Sequence, residues 1–381
     1  AGEKRNLETG IEAMRKLTSG KVHLGDAFEA QNFDFYSRTM SGKKEMQPRW
    51  KRSVSTVDGV LGEVVGQMYV EKYFPAAAKE RMVTLVKNLQ TSLGERIKGL
   101  EWMSEPTKEK ALEKLATFHV KIGYPDKWKD YSALEIKNDS YWANIERANQ
   151  WDYNEMIAKA GKPVDKDEWL MTPQTVNAYY NPTTNEICFP AAILQPPFFD
   201  MNADDAMNYG AIGVVIGHEM THGFDDQGRQ YDKDGNLKDW WTEEDAKKFE
   251  ERAQVMVNFF DSIEVAPGVH GNGSLTLGEN IADHGGLQVS FQAFKKATEA
   301  APLEIVDGFT PEQRFFLAYA NVWAGNIRPE EILRLTKLDP HSLGKWRVDG
   351  ALPHIENWYE AFKITEQDPM FVPKDKRVSI W

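Results

Sequence analysis

Apolar residues recur at helical spacing in the first third of the chain. Between residues 82 and 100 they are separated mostly by three or four positions, which places them on one face of a helix. The residues of this face are Met82, Leu85, Val86, Leu89, Leu93, Ile97 and Leu100. The spacing predicts a long amphipathic helix, and we assign it to a helical lobe in the first part of the chain.

Later segments predict other elements. Residues 175–180 and 186–189 flank the turn sequence Asn181-Pro182-Thr183-Thr184, a pattern typical of a β-hairpin. The run from Ala211 to Gly217 is apolar without alternation and predicts a buried helix. The last hundred residues have a mixed, mostly helical pattern. The chain is therefore predicted to be mainly α (α+β), with a small β-hairpin or sheet.

One segment is the best candidate for a boundary between two lobes. The stretch from Lys121 to Trp142 is rich in Pro, Asp, Lys and Gly, the residues that interrupt regular structure. We therefore predict a helical lobe over residues 1–140 and a second lobe over residues 141–381.

Composition excludes some classes of function. Hydrophobic residues make up 41% of the chain and charged residues 27%, as in an ordinary folded protein. The 46 Lys and Arg residues against 58 acidic residues give a charge of -12, which argues against a nucleic-acid partner. No apolar run approaches about 18 residues, so no membrane span is predicted. The single cysteine, Cys188, excludes an internal disulfide and favours a bacterial source.

The sequence His218-Glu219-Met220-Thr221-His222 has the spacing of a metal site. Residues four apart lie on one face of a helix, so His218 and His222 can bind one ion from a single element. Zinc accepts imidazole ligands, and a catalytic zinc site keeps one position open for water. Glu219 then projects beside that open position, where a general base is needed.

A second acidic motif supplies a candidate third ligand. In Gly278–Asp283, the carboxylates of Glu279 and Asp283 are four residues apart. Glu279 can complete a His-His-Glu zinc site, and Asp283 can accept the free N–H of a ligand histidine. A metzincin site is excluded, because Asp225 and Gly228 stand where that motif needs glycine and histidine. The acidic stretch from Tyr231 to Asp239 is interpreted as a turn and not as a calcium loop.

Several blocks together resemble the neprilysin and endothelin-converting enzyme family. They are Asn32–Tyr36, Gln47–Lys51, Val176–Tyr180, Phe189–Phe198, His218–Arg229, Gly278–Asp283 and His341–Val348, in family order from about residue 25 to Trp381. With a single cysteine, the chain resembles the bacterial branch of the family. The resemblance implies a zincin catalytic lobe like that of thermolysin, a gluzincin, together with part of a helical cap lobe.

The resemblance also implies roles for the catalytic residues. One Zn²⁺ per chain would be bound by His218, His222 and Glu279. Glu219 would act as the base, and Asp283 would hold His218. His341 would stabilise the oxyanion of the tetrahedral intermediate.

Substrate contacts follow from the same resemblance. Asn177 and the backbone of Ala178 would bind the substrate main chain, and Arg347 would hold the carbonyl of the residue after the cleaved bond. An apolar pocket for the side chain of that residue would be formed by Phe198, Val215, Val322 and Trp323.

These roles predict a zinc-dependent endopeptidase that cuts small peptides on the amino side of hydrophobic residues, with the attacking water activated by Glu219. Two alternatives remain: a zincin with a different substrate, and a catalytically silent peptidase fold that binds a partner. An extracytoplasmic location, in a bacterial periplasm or secreted, is expected.

Most of the cap lobe of the family lacks a counterpart here. We therefore expect a partner in the missing N-terminal half of a longer protein, and exposed apolar faces on helices such as residues 82–100.

Overall fold

The structure is a computed structural model that describes residues 25–381. Its contacts divide these residues into two compact units. The first contains the described residues up to 65 together with 127–165 and 327–334, and the second contains 66–126, 166–326 and 335–381. The predicted division into a helical cap lobe before residue 140 and a catalytic lobe after it stays a prediction. None of the helices between residues 25 and 381 has the length and apolar character that a membrane crossing needs.

Helices dominate both units, which confirms the predicted mainly α fold. Those that begin before residue 76 are α1 (Asp26–Asn32), a π-helical segment (Phe33–Thr39), α2 (Arg49–Val60) and α3 (Gly62–Tyr73). The following helices are α4 (Ala76–Gly99), α5 (Glu105–Ala116), α6 (Tyr141–Ile157), α7 (Asp205–Asn208), α8 (Val214–His222) and α9 (Glu243–Asp261). The last five are α10 (Leu277–Thr298), α11 (Pro311–Val322), α12 (Pro329–Leu338), α13 (Gly344–Asp349) and α14 (Glu356–Phe362). Short 3₁₀ turns cover Gly228–Gln230, Leu352–His354 and Lys374–Lys376, and a π-helical turn at Tyr209–Gly213 leads into α8.

A small three-stranded sheet lies in the second unit, with strand order β1-β3-β2. Strand β1 (His119–Gly123) is parallel to β3 (Glu186–Pro190), and β2 (Tyr179–Asn181) is antiparallel to β3. The predicted hairpin is present, but its first strand begins at Tyr179 and not at Thr175, whose backbone N–H instead donates to the carbonyl of Thr172 in a turn. Strand β1 also takes the first three residues of the segment proposed as a lobe boundary. A separate two-stranded sheet pairs β4 (Glu264–Ala266) with β5 (Val269–His270).

The expectation that the apolar face of α4 would be exposed is wrong. Met82, Leu89, Leu93 and Ile97 are fully buried. The helix is buried because it packs against α10. The two helices are also joined by a hydrogen bond that the hydroxyl of Ser92 donates to the carbonyl of Val289 on α10 (2.9 Å). The helix therefore contributes to the core that also holds α8 and α10.

Helices α8 and α10 approach each other so closely that side chains are excluded at their crossing. A Cβ atom built on Gly286 would lie 2.6 Å from the carbonyl oxygen of Val214 and 2.8 Å from the backbone nitrogen of His218. One built on Gly217 would lie 2.9 Å from the Cα of Gly286. Contacts this short are sterically forbidden, so only glycine permits the observed separation. The crossing places the face of α8 that carries His218 directly against α10.

We predict that Gly286→Ala lowers the free energy of unfolding of the zinc-free protein by about 1–3 kcal/mol, because backbone atoms of α8 cannot move aside for a new methyl group. The matched control is Gly94→Ala in α4, where the added Cβ would make ordinary contacts at 3.5 Å or more. That substitution should stabilise the protein by about 0.5–1 kcal/mol through higher helix propensity. Urea unfolding measures both, and equal effects of the two substitutions would contradict the tight crossing.

Candidate active site

Three potential ligand side chains converge where α8 meets the start of α10. His218 and His222 lie one turn apart on α8, and their Nε2 atoms are 3.0 Å apart. Glu279, in the first turn of α10, places Oε2 3.2 Å from Nε2 of His218 and Oε1 3.7 Å from Nε2 of His222. The structure therefore brings together the three residues that the sequence predicted as zinc ligands.

Each histidine is oriented by a buried aspartate on its other ring nitrogen. Nδ1 of His218 lies 2.8 Å from Oδ1 of Asp283, and Nδ1 of His222 lies 2.6 Å from Oδ2 of Asp225. An ionised carboxylate can only accept, so both Nδ1 atoms donate. In the neutral rings both Nε2 atoms then carry lone pairs directed into the site. This carboxylate–histidine arrangement is typical of zinc sites.

Asp225 is a residue of the site that the sequence interpretation missed. Asp225 stands three residues after His222, where the sequence pattern shows only a departure from the metzincin motif. Because α8 ends at His222, the chain can turn back so that the Asp225 carboxylate meets the imidazole. An aspartate just beyond the second histidine was the available signal.

The donor set fits a zinc ion. Two Nε2 lone pairs 3.0 Å apart repel each other unless a proton or a cation lies between them. Oε2 of Glu279 is buried and makes no hydrogen bond. Tetrahedral zinc with bonds of about 2.0–2.1 Å separates its ligand atoms by about 3.3 Å, and the observed separations lie on either side of that value. One potential ligand atom from each of His218, Glu219 and His222 also lies within 4.8 Å of the others.

Of the two nearby glutamates, Glu279 is the better third ligand, because its two oxygens face both Nε2 atoms. The other, Glu219, is buried and lines the same cavity. Burial raises the pKa of Glu219, whereas the neighbouring His218 and His222 act to lower it. Burial also opposes ionisation of Glu279, yet hydrogen bonds and positive charge from protonated His218 and His222 hold its pKa well below the usual range. The two carboxyls therefore have different electrostatic environments within one site.

Arg347, on α13, binds the carboxylate of Asp283. Its Nε and Nη2 atoms donate to the two carboxylate oxygens of Asp283 at 2.8 and 2.6 Å. Its guanidinium also lies 3.9 Å from the ring centroid of Trp323. Although burial acts to raise the pKa of Asp283, the charge of Arg347 keeps it lowered. A charged, hydrogen-bonded pair in this position holds Asp283 ionised as an acceptor for His218.

A cavity of about 440 Å³ contains every site residue predicted from the sequence. Phe198, Val215, Val322 and Trp323 line it as half-buried apolar groups. Asn177 is exposed and accepts a hydrogen bond from the backbone N–H of Ala178, just before β2. The exposed His341 places Nδ1 2.7 Å from Asp339 and Nε2 3.3 Å from Oε2 of Glu279. The three candidate zinc ligands, Glu219 and the four apolar residues thus line one cavity.

Sequence comparison decides the family. A profile of peptidase family M13 matches residues 177–378, which is more than half of the chain and includes the whole candidate site. A second profile, for the N-terminal part of that family, matches residues 12–125. The chain belongs to peptidase family M13. This membership confirms the resemblance inferred from the sequence blocks.

Curated M13 relatives include neprilysins from distant animals. Neprilysin-1 of Caenorhabditis elegans is 40% identical over 98% of this chain, and neprilysin of Homo sapiens is 37% identical over 91%. These alignments cover 51% and 48% of the two relatives. The chain thus spans about half the length of the curated M13 proteins that it matches.

Solved M13 structures have the same fold. Zinc metalloprotease Zmp1 of Mycobacterium tuberculosis, in complex with an inhibitor, superposes with a TM-score of 0.93 and 44% identity, over 97% of this chain and 56% of that one. PepO of Lactobacillus rhamnosis superposes with a TM-score of 0.88 and 33% identity, over 96% and 56%. The zincin fold expected from the sequence is confirmed.

We expect Asp225→Ala and Asp283→Ala each to weaken zinc binding by about 10–100-fold, because each removes the acceptor that orients a ligand histidine. His222→Ala and Glu279→Ala should abolish stoichiometric zinc. Zinc affinity is measured by competition with a chelator of known affinity.

The control for the aspartates is Asp245→Ala. Asp245 is also buried and accepts hydrogen bonds from Ser104 and Thr107, away from the site. Its loss should reduce stability without changing zinc affinity. Wild-type zinc affinity in Asp225→Ala would show that this carboxylate does not orient His222.

Proposed function

We propose that this chain carries the catalytic centre of a zinc-dependent endopeptidase, with one ion held by His218, His222 and Glu279. The observation that carries the proposal is the convergence of these three ligand atoms at tetrahedral spacing beside Glu219. Membership of peptidase family M13 supports the same reaction class. Both lines point to hydrolysis of a peptide bond inside the cavity.

Glu219 is proposed as the general base. When bound, zinc supplies Lewis-acid chemistry, since it lowers the pKa of water to about 7 and polarises a carbonyl oxygen. Glu219 then takes the proton of the attacking water and later delivers it to the leaving amine. Its fixed place on α8, next to both histidines, keeps it in reach of the reacting atoms without making it a ligand.

His341 is proposed to stabilise the charge that develops on the substrate, and Arg347 is proposed to hold a neighbouring carbonyl group. Nε2 of His341 points towards the ligand cluster, while Nδ1 faces Asp339. Both nitrogens can donate only in the doubly protonated ring, which is the form that would hold an oxyanion. In Arg347, Nη1 is the nitrogen that its contacts with Asp283 do not use, and it is proposed to bind the carbonyl after the cleaved bond.

The substrate is proposed to be a small peptide, bound in extended form. Strand β2 is the last strand of its sheet, so its outer edge can pair with an added strand. Asn177 and the backbone of Ala178 precede this edge and would bind the substrate main chain. The apolar wall formed by Phe198, Val215, Val322 and Trp323 favours cleavage on the amino side of hydrophobic residues.

The two alternatives lack comparable support. A silent binding protein would not need Glu219, which is present, buried and adjacent to both histidines. A zincin for a non-peptide substrate would not need a strand edge beside its metal ligands. Family membership likewise favours a peptidase.

We predict that Glu219→Gln retains one zinc ion but lowers peptide turnover by about 10²–10⁴-fold, because the amide cannot accept the proton of water. Atomic absorption gives the zinc content, and a fluorogenic peptide gives the rate. His222→Ala serves as the control that loses both metal and activity. Wild-type turnover by zinc-loaded Glu219→Gln would refute the assigned base.

The same assay tests the substrate preference when two peptides are compared that differ only in Leu or Asp after the scissile bond. Hydrolysis of the Leu peptide, with cleavage before Leu by mass spectrometry, supports the apolar pocket. Equal rates would contradict it. Tight binding of both peptides by the zinc-loaded wild-type protein, without hydrolysis, would favour the silent binding protein.

A further inference from the structure

A buried lysine contacts the segment that follows the histidine motif. Lys114 lies on α5 and is only 1% exposed. Its Nζ donates to the carbonyl oxygens of Gly223, Gly228 and Tyr231, each at 2.7 Å. An ammonium group has three N–H donors, so all of them are used on one short stretch of backbone. Lys114 therefore fixes both ends and the middle of residues 223–231.

The ammonium group of Lys114 is surrounded by aromatic side chains. The ring centroids of Tyr180, Phe224 and Trp240 lie 5.7–5.9 Å from Nζ of Lys114. Burial lowers the pKa of Lys114 to about 7, and the carboxylates of Asp225 and Asp232 oppose that shift. Removing an ammonium from water is costly unless it is fully hydrogen-bonded. The three carbonyls provide those bonds, and that of Gly223 lies at the C-terminal end of α8, where a cation is favoured.

The segment held by Lys114 carries the aspartate that orients a zinc ligand. Oδ2 of Asp225 accepts from Nδ1 of His222, and Oδ1 accepts from the backbone N–H of Gly228 at 2.6 Å. The backbone N–H of Gly228 thus donates a hydrogen bond to Asp225, and its carbonyl oxygen accepts one from Lys114. A Cβ atom on Gly228 would lie 1.7 Å from the carbonyl oxygen of His222, so the segment closes directly against the ligand residue.

We infer that Lys114 is a positioning residue for the zinc ligand His222, acting through Gly228 and Asp225. The inference rests on the proposed zinc site and adds a residue that touches neither metal nor substrate. Lys114 lies in the part of the chain matched by the N-terminal M13 profile, and its acceptors lie in the part matched by the other profile. The N-terminal part therefore takes part in shaping the metal site.

Lys114→Met tests the inference, since it keeps the side-chain length and removes the three donors. We expect its zinc dissociation constant to rise by about 10–100-fold, the range for loss of groups that orient ligands. The matched control is Lys121→Met. Lys121 is 5% exposed and donates to Glu186 and to the carbonyl of Glu168, with no bond to residues 223–231. Zinc affinity should be unchanged in Lys121→Met, and wild-type affinity in Lys114→Met would overturn the inference.

A double substitution separates positioning from general loss of stability. If Lys114 acts through Asp225, then Lys114→Met in an Asp225→Ala background should weaken zinc binding by less than about threefold more, because coupled residues are not additive. If the two substitutions weaken zinc binding independently, so that their fold-changes multiply, the proposed action of Lys114 through Asp225 is contradicted.

Hydrogen exchange of the zinc-free protein provides a readout without metal. Amides of residues 223–231, including that of Gly228, should exchange at least tenfold faster in Lys114→Met than in Lys121→Met. Equal protection in both variants would refute the role of Lys114. If Lys114→Met does not fold, Lys114→Gln replaces it in all three measurements. A wild-type protein that binds no zinc but shows the exchange difference would refute the proposed function while leaving the structural link of Lys114 to the segment intact.

Discussion

The contact on which the site depends is the glycine crossing of α8 and α10. A methyl group on Gly286 would lie within 2.8 Å of the backbone of His218, so any other residue would push the helices apart. His218 and His222 come from one helix and Glu279 from the other. The carboxylate oxygens of Glu279 lie 3.2 Å from Nε2 of His218 and 3.7 Å from Nε2 of His222 only because the two backbones touch. The arrangement of the candidate zinc ligands therefore depends on helix packing.

Around this crossing, buried charges fix the orientation of each ligand. Asp283 holds His218 and is itself held by Arg347, whereas Asp225 holds His222 on a segment bound by Lys114. Both oxygens of each aspartate accept hydrogen bonds, which compensates for the burial of the carboxyl group. The imidazoles consequently have little freedom to rotate before metal arrives, and such pre-organisation favours both metal binding and catalysis.

The sequence could predict what depends on local spacing. Two histidines four apart on a helix, and a Glu–Asp pair four apart on another, predicted the three candidate ligands that converge and the aspartate that contacts His218. Asp225 was missed because its role depends on where α8 ends. Lys114 was missed because its acceptors are backbone carbonyls more than a hundred positions away, which leave no side-chain pattern. The spacing of apolar residues predicted the apolar face of α4 but not the helix that covers it. The acidic residues of α10 indicated a metal site, and its sequence did not show that it also packs against α4.

The central claim is that two imidazoles and one carboxylate of this chain bind a single zinc ion. X-ray absorption spectroscopy of the protein loaded with one equivalent of zinc tests it most directly. We predict nitrogen and oxygen neighbours at about 2.0–2.2 Å, with the outer-shell scattering of two imidazole rings. A spectrum with one imidazole or none, or with sulfur at about 2.3 Å from Cys188, would contradict the assigned site.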